Sequence, residues 1–571
     1  MTETIQSRLL ASWESMPEAR LLGFSLDGVE WQWWTGEEIY RRASGAALEL
    51  RNAGLGAGQP CVLVLDSDAT CCALLLGALL NSALPVLVAP PVVRGLHSNL
   101  SQVLGHVVER TSAQVLVARE SHRTEVDEVT GRFPDLKSLV LAEDANLPMA
   151  EKEVSRLPRS DDLAAFQLTS GTTGFPRICV WRQDRVLAAV DGMADAMQLG
   201  THDLLVNWTP LYHDMGLVNN FLLCMTRGIP LAMLPTQRFV ADPAIWLRAL
   251  SKTRATTTWS PNFGFALTTQ RVPEHQTEGL RLDTVKGFWN AAERIHLETI
   301  HNFHQRFAPL GVTWQALKTN FGCAENIGGA TFSDISEGAQ WEEVDASQLH
   351  GQGIATTVEQ STDKPTINIV GAGKGHPELK LQILDPQDQP LPDGHVGQVA
   401  LDTPSRMLGY LGDLDASESA FSGDLLKTGD IGYLRDGELF WTGRARERIN
   451  LHGKKYDPSD FEATLFRVPI LRPGCFAVFG VDDANIGTQQ LVLVAELKDE
   501  NVTAPEDLPQ QVRQAMVQDM GVAPWDIVLL ARGSMTKTSS GKRRHRHYRH
   551  LYVAGELKPL ARLRPQPASR P

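Results

Sequence analysis

Leu168-Thr169-Ser170-Gly171-Thr172-Thr173-Gly174-Phe175-Pro176-Arg177 stands between two short apolar runs, Ala164 to Leu168 and Ile178 to Trp181. The runs have the length and residue types of buried strands, so the hydroxyl- and glycine-rich stretch between them reads as a loop. Glycines allow backbone N–H groups to turn toward an anion, hydroxyls add donors, and Arg177 adds a fixed charge. The stretch therefore reads as a phosphate-gripping loop. It is not a Walker loop, because G-x-x-x-x-G-K-[ST] is missing.

Outward from this loop, strand-like and helix-like segments alternate. Thr35-x-x-Glu38 is a capping-box pattern, followed by Ile39, Ala43, Ala46, Ala47 and Leu50 on one helical face. Cys61 to Leu65 reads as a strand, Cys72 to Leu80 as a helix and Pro85 to Ala89 as a strand. The rhythm continues at Val115 to Ala118, Ser138 to Leu141, Leu204 to Asn207, Leu231 to Leu234 and Thr256 to Trp259. Such alternation predicts an α/β body with parallel sheets covered by helices, over about 1–330. From about 331 to 442, short strands separated by Pro392-Asp393-Gly394 and Arg435-Asp436-Gly437 predict a β-rich, hairpin-bearing subdomain. Residues 443–555 read as a compact α+β domain, and the Pro- and Arg-rich 556–571 as a flexible tail.

The composition bounds the function. The 571 residues suggest roughly three or four folding units at about 150 residues each. With 54 Lys+Arg against 67 Asp+Glu the net charge is −13, so no whole-molecule field draws in nucleic acid or anionic lipid. Seven scattered cysteines without a C-x-x-C pair argue against a disulfide framework or a structural zinc, and fit a reducing cytoplasm. The longest uncharged stretch, Ala69 to Val93, is split by Asn81, Ser82 and Pro85, which predicts buried core and no membrane insertion. The basic run Arg543, Arg544, His545, Arg546 stands in an acidic chain without a nucleic-acid motif, so no nucleic-acid partner is expected.

The loop resembles that of the adenylate-forming superfamily, where [ST]-S-G-[ST]-T-G-x-P-K embraces the ATP phosphates. Residues Thr169, Ser170, Gly171, Thr172, Thr173 and Gly174 match it, and Arg177 replaces the terminal Lys. Arg keeps the charge and offers a planar fork, but follows a leaving group less freely than an ammonium. Other landmarks follow in the family's order. Tyr212-His213-Asp214-Met215-Gly216-Leu217 resembles the segment beside the acyl pocket, which places His213 in the implied catalytic set. Asn290-Ala291-Ala292-Glu293 resembles the stretch whose backbone lines adenine.

Phe321-Gly322-Cys323-Ala324-Glu325 stands where the family has an aromatic on adenine and a carboxylate on Mg²⁺, which makes Glu325 the metal candidate. Lys427-Thr428-Gly429-Asp430 resembles the segment whose Asp accepts both ribose hydroxyls. Gly443-Arg444-Ala445-Arg446-Glu447 resembles the junction of a large adenylation domain (1–442) with a small mobile lid (443–555), Arg444 reaching the nucleotide and Glu447 sitting at the hinge. Thr536 to Lys542 resembles the loop bearing the catalytic lysine, here Lys542.

Within the superfamily the chain is most similar to fatty acyl-AMP ligases. The evidence is Tyr212 to Leu217, Trp259-Ser260-Pro261-Asn262-Phe263, and an extra stretch between Gly328 and Ile369 that includes Val344 to Leu349, where those ligases carry an insertion. The resemblance implies use of ATP and Mg²⁺ to make an acyl-AMP from a carboxylic, fatty-type acid. It also implies that the insertion restricts domain motion, and that the acyl group passes to the phosphopantetheine of an acyl carrier protein or a polyketide/peptide synthetase carrier domain. Asn219, Asn220, Cys323 and Arg294 (where Pro is usual) depart from the pattern. An acyl-CoA ligase is the nearest rival reading, and a non-catalytic nucleotide-binding scaffold a more distant one.

Overall fold

The computed structural model describes residues 3–91, 100–143, 145, 147–152, 157–169, 175–358, 365–483, 488–498, 508–538 and 543–564. Its first body is a sheet ordered Lys137–Leu141, Val115–Arg119, Pro60–Val64, Leu84–Leu87, Leu163–Leu168, Ile178–Arg182. Its pairs are parallel except the last, where Leu163–Leu168 and Ile178–Arg182 run antiparallel. The loop in question thus joins two paired strands, and its residues Ser170, Gly171, Thr172, Thr173 and Gly174 lie outside the described residues.

Both helices read from the sequence form there. In Gly36–Asn52 the Thr35 hydroxyl accepts from the Glu38 N–H (3.3 Å), and the Glu38 carboxylate accepts from the Thr35 N–H (2.9 Å). In Ala69–Leu80 every residue from Cys71 to Leu80 is buried, because the helix is covered on all sides. Asp68 caps it, accepting from the Cys71 N–H at 2.9 Å and from Arg119 at 2.7 Å.

In the second body the parallel and antiparallel strands are hydrogen-bonded into one sheet path. The join is the strand Leu317–Cys323. Its first half pairs in parallel with Gly287–Ala291 (Phe288 opposite Leu317, Asn290 opposite Thr319), and its second half runs antiparallel to Gly328–Phe332 (Asn320 opposite Phe332). The strand changes partner at Asn320, and a topological switch of this kind leaves a crevice at the strand ends.

The small lobe carries a sheet ordered Leu471–Asp483, Thr488–Leu497, Asp526–Leu530, Ala561–Leu563, packed on the helices Pro458–Leu465 and Leu508–Met520. The edge strand Ala561–Leu563 corrects part of the tail expectation for 556–571: Arg562 reaches fully buried Asp526 at 2.5 Å, which fixes an otherwise aperiodic segment. Among the described residues no helix is long and apolar enough to cross a membrane. All seven cysteines are buried thiols.

Candidate active site

The crevice at the switch point is a cleft of about 460 Å³. Thr169 and Arg177, the ends of the loop strands, form one wall; the Thr169 hydroxyl accepts from the Arg177 N–H at 3.2 Å. The Arg177 guanidinium stacks 5.1 Å from the Tyr410 ring and pairs with Asp413 at 3.3 Å. The Tyr410 hydroxyl donates to Glu325 at 2.7 Å. Burial and the Glu325 charge together push the Tyr410 phenol far up, so it remains a donor. Arg177, Tyr410 and Glu325 form one chain of polar contacts along this wall.

Ala291, Ala292 and Glu293 line the cleft, and Asn290 is buried just behind them, donating to the Asn262 amide oxygen at 3.1 Å. Ala292 has φ +70°, a left-handed conformation that costs a residue with a Cβ about 1–2 kcal/mol. Such strain turns the stretch sharply as it leaves the strand. Glu293 accepts from the Phe263 N–H at 2.7 Å, fixing the first turn of the helix Asn262–Arg271.

Gly322 and Glu325 line the cleft, but Phe321 does not. Successive residues of a strand point to opposite faces, so Asn320 and Gly322 face the cleft and Phe321 turns into the core, 4% exposed. Its ring lies 5.9 Å from Trp441, and the Trp441 indole reaches the cleft wall in its place. Tyr410, Trp441 and Asn219 are cleft residues that motif matching did not single out as site residues.

Asp430 is fully buried beneath Arg444, Nε to Oδ1 3.0 Å, because their strands pair with these two residues opposite one another. Asp430 is the main cause of the raised pKa of Arg444. His213 lines the opposite side, its Nδ1 accepting from the Met215 N–H at 3.2 Å. Burial pushes the Cys179 and Cys323 thiols well up, so neither is a thiolate nucleophile. Lys542 lies outside the described residues, but Arg543 directly after it lines the cleft.

Glu447 meets His545 at 3.4 Å, and the other nitrogen of His545 meets fully buried Glu462 at 2.7 Å. Arg543 pairs with the same Glu462 at 2.9 Å. Burial disfavours a cation here, yet Glu462 and Glu447 outweigh it and raise His545 to about 10. For Glu447 burial works in the same way against the charge, and His545 overcomes it, lowering the carboxyl below its usual range. Glu447 and Glu462 are thereby tied to the segment that follows Lys542.

A second cavity of about 710 Å³ adjoins the first, sharing Glu293, Arg294 and Arg543. Residues from the helix Ala346–Gln352 and the strand Thr366–Gly375 line it, the latter pairing with Trp341–Asp345 just before that helix. His350 of that helix meets Asp460 of the small lobe at 3.1 Å, and Arg294 meets both Asp460 and, at 2.7 Å, Ser459. Burial favours a neutral acid at Asp460, but Arg294 prevails and holds it below the ordinary carboxylate range. Burial and the Asp460 charge push neighbouring Asp457 up to about 6.

The residues present fit the two groups that the resemblance implies. The Glu325 carboxylate on the cleft wall, with no cluster of three or more metal-ligating side chains among the described residues, suits a hard cation that completes its shell from phosphate and water. Arg177 and Arg444, both on the cleft lining, would supply fixed charge for a polyphosphate.

The AMP-binding enzyme family model matches residues 11–411. The chain is 26% identical over 541 residues, 91% of its length and 90% of the relative's, to the medium-chain-fatty-acid acyl-carrier-protein ligase JamA of Moorena producens. It is 27% identical over 541 residues, 89% of its length and 84% of the relative's, to the 4-hydroxyphenylalkanoate adenylyltransferase of Mycobacterium marinum. A solved structure from work on fatty acyl-adenylate ligases of E. coli and L. pneumophila superposes with a TM-score of 0.88 at 26% identity, covering 97% of this chain and 99% of that one.

Proposed function

This chain belongs to the AMP-binding enzyme family, and from that premise we propose that it activates a carboxylic acid of the fatty-acid class to an acyl-AMP and delivers the acyl group to a carrier thiol. The observation that carries the reading is the single cleft lined by Thr169, Arg177, His213, Ala291, Gly322, Glu325 and Arg444, residues far apart in sequence. Relatives that bear the names of a carrier-protein ligase and an adenylyltransferase along about nine-tenths of this chain support both halves of the reaction.

In the first step an acid carboxylate oxygen attacks the α-phosphorus of ATP, the acyl–O–P bond forms, and the α–β bridging oxygen leaves with pyrophosphate. Two anions must approach, so the work of the protein is to hold them and offset their charge. Arg177 and the loop before it grip the β- and γ-phosphates. Ala291 to Glu293 and Gly322 supply a backbone shelf for the adenine, with Trp441 as the aromatic at its edge. Asp430 accepts the ribose hydroxyls once Arg444 swings from it to the phosphate. His213 borders the acid.

Lys542 bridges the acid carboxylate and the α-phosphate. Mg²⁺ held by Glu325 would neutralise the polyphosphate charge when bound. In the second step the phosphopantetheine thiol of a carrier protein or synthetase carrier domain attacks the acyl carbonyl, and AMP leaves. The set of buried thiols fits a cytoplasmic setting.

Acid-dependent ATP–pyrophosphate exchange tests the first step. The wild type is expected to exchange, and Lys542→Ala to lose at least about 100-fold, the scale of one preorganised charge stabiliser; full exchange by Lys542→Ala contradicts the role given to that residue. Offering carrier protein and CoA separately and weighing the products tests the second step. Preferential formation of the CoA thioester would establish the acyl-CoA ligase reading, and nucleotide binding without exchange the scaffold reading.

A further inference from the structure

The cleft lining brings together Asn219, Asn320, Cys323 and Gly328, with His213 and Met215 also on it. Asn219 lies in a six-residue π-helical stretch, Leu217–Leu222, a rare backbone form that is frequent at functional sites. The extra residue in its turn carries Asn219 to the cleft and leaves Asn220, fully buried, holding on to the Met215 carbonyl at 2.9 Å. Asn219 is 3% exposed. Its Oδ1 accepts from the Gly329 N–H at 3.2 Å, while its Nδ2 has no hydrogen-bond partner among the described residues.

The amide is pressed flat against the chain. A Cβ on Gly328, where φ is +95°, would stand 2.4 Å from the Asn219 oxygen, so only glycine permits the approach. Behind this floor three fully or nearly fully buried rings fill the core. Trp259 and Trp289 stack at 5.4 Å, with Phe332 edge-on to them at 6.4 and 5.6 Å. A hydrocarbon tail extending past Asn219 would cover Nδ2 without giving it a partner, which is costly; an oxygen placed there would accept from Nδ2.

Resting on the adenylation reading above, we infer that Asn219 is a specificity-determining residue and that the substrate is a short acid bearing an acceptor oxygen close to its carboxylate. A 2-oxo, 2-hydroxy or 3-hydroxy acid satisfies it, whereas an unsubstituted long alkyl acid does not. A site built around a buried donor discriminates strongly against the analogue that lacks the acceptor.

The test is ATP–pyrophosphate exchange by the full-length enzyme with butanoate, hexanoate and dodecanoate against 2-oxohexanoate, 2-hydroxyhexanoate and 3-hydroxybutanoate. At least one oxygenated acid is expected to exceed its unsubstituted counterpart in kcat/KM by about tenfold or more. Asn219→Leu is expected to erase that preference without moving the KM for ATP, and Asn219→Ser, which keeps a donor, to restore part of it. Exchange led by the unsubstituted acids in the wild type, or an equal loss for all acids in both variants, overturns the inference and leaves adenylation standing. Exchange with no acid at all removes the adenylation reading and the inference with it.

Discussion

Asp460→Asn isolates the contact that joins three parts of the chain: the strand-end segment carrying Arg294, the helix Ala346–Gln352 carrying His350, and the first helix of the small lobe. The side chains of Arg294 and Asp460 are 11% and 5% exposed, and His350 meets the other carboxylate oxygen at 3.1 Å. Asparagine keeps the shape but removes the charge, and puts an NH2 donor where one of the two carboxylate oxygens accepted. Removing one partner of a buried ion pair costs about 3–5 kcal/mol, because the remaining charge is left without compensation. At about 1.4 kcal/mol per tenfold this corresponds to a loss of roughly 100- to 5,000-fold in protection against amide exchange, bounded by the global stability.

The assay is hydrogen exchange followed by mass spectrometry on peptides covering Pro458–Leu465. Arg294→Met with Asp460→Leu, which replaces both charges by apolar groups, is expected to recover protection to within about tenfold of the wild type. Protection in Asp460→Asn within threefold of the wild type would refute the claim that this ion pair secures the small lobe.

His545 yields a pH dependence. Its pKa is raised from 6.5 to about 10 by Glu462 and Glu447, so its contribution to stability is fully present below about 6.5 and is lost as pH rises through about 10. The urea midpoint is expected to fall between pH 8 and 10.5 in the wild type and to fall less in His545→Arg, which stays charged; identical pH profiles would contradict this. Arg177→Ala removes the charge stacked on Tyr410, and a charged hydrogen bond of about 1.5–3 kcal/mol predicts a 10- to 100-fold rise in the KM for ATP. Arg177→Lys is expected to keep most of the affinity. Tyr410→Phe takes away the 2.7 Å bond that orients Glu325, and titration of exchange with Mg²⁺ is expected to show about tenfold weaker half-saturation with little change in the KM for the acid.

Much of the architecture was legible because it is local. The capping box at Thr35 and Glu38, the all-apolar helix at Ala69–Leu80, and the strands on each side of the loop depend on near neighbours and hydrophobic periodicity. The single sheet path through Leu317–Cys323 was not legible, since a strand that is parallel along one half and antiparallel along the other carries no mark of it in its own residues.

Motif order led to the cleft, but motif matching treats a stretch as a unit. It put Phe321 in the site, where the period of two along a strand would have sent Asn320 and Gly322 to the cleft and Phe321 to the core. Tyr410 and Trp441 belong to the cleft through partners more than eighty residues away in sequence, a relation that only the folded chain reveals. Asn219 and Arg294 were visible as departures from a pattern, and their contacts with Gly329 and Asp460 supply the physical content of those departures.

The central claim is that one cleft holds nucleotide and acid together with the ribose over Asp430 and the acyl–phosphate junction beside the segment that carries Lys542. A crystal structure with a non-hydrolysable acyl-sulfamoyl adenosine tests it most directly. The account predicts ribose hydroxyls on Asp430, adenine against Ala291 to Glu293, and Lys542 at the sulfamoyl group; an analogue bound outside this cleft, or bound in it with Lys542 remote, would contradict it.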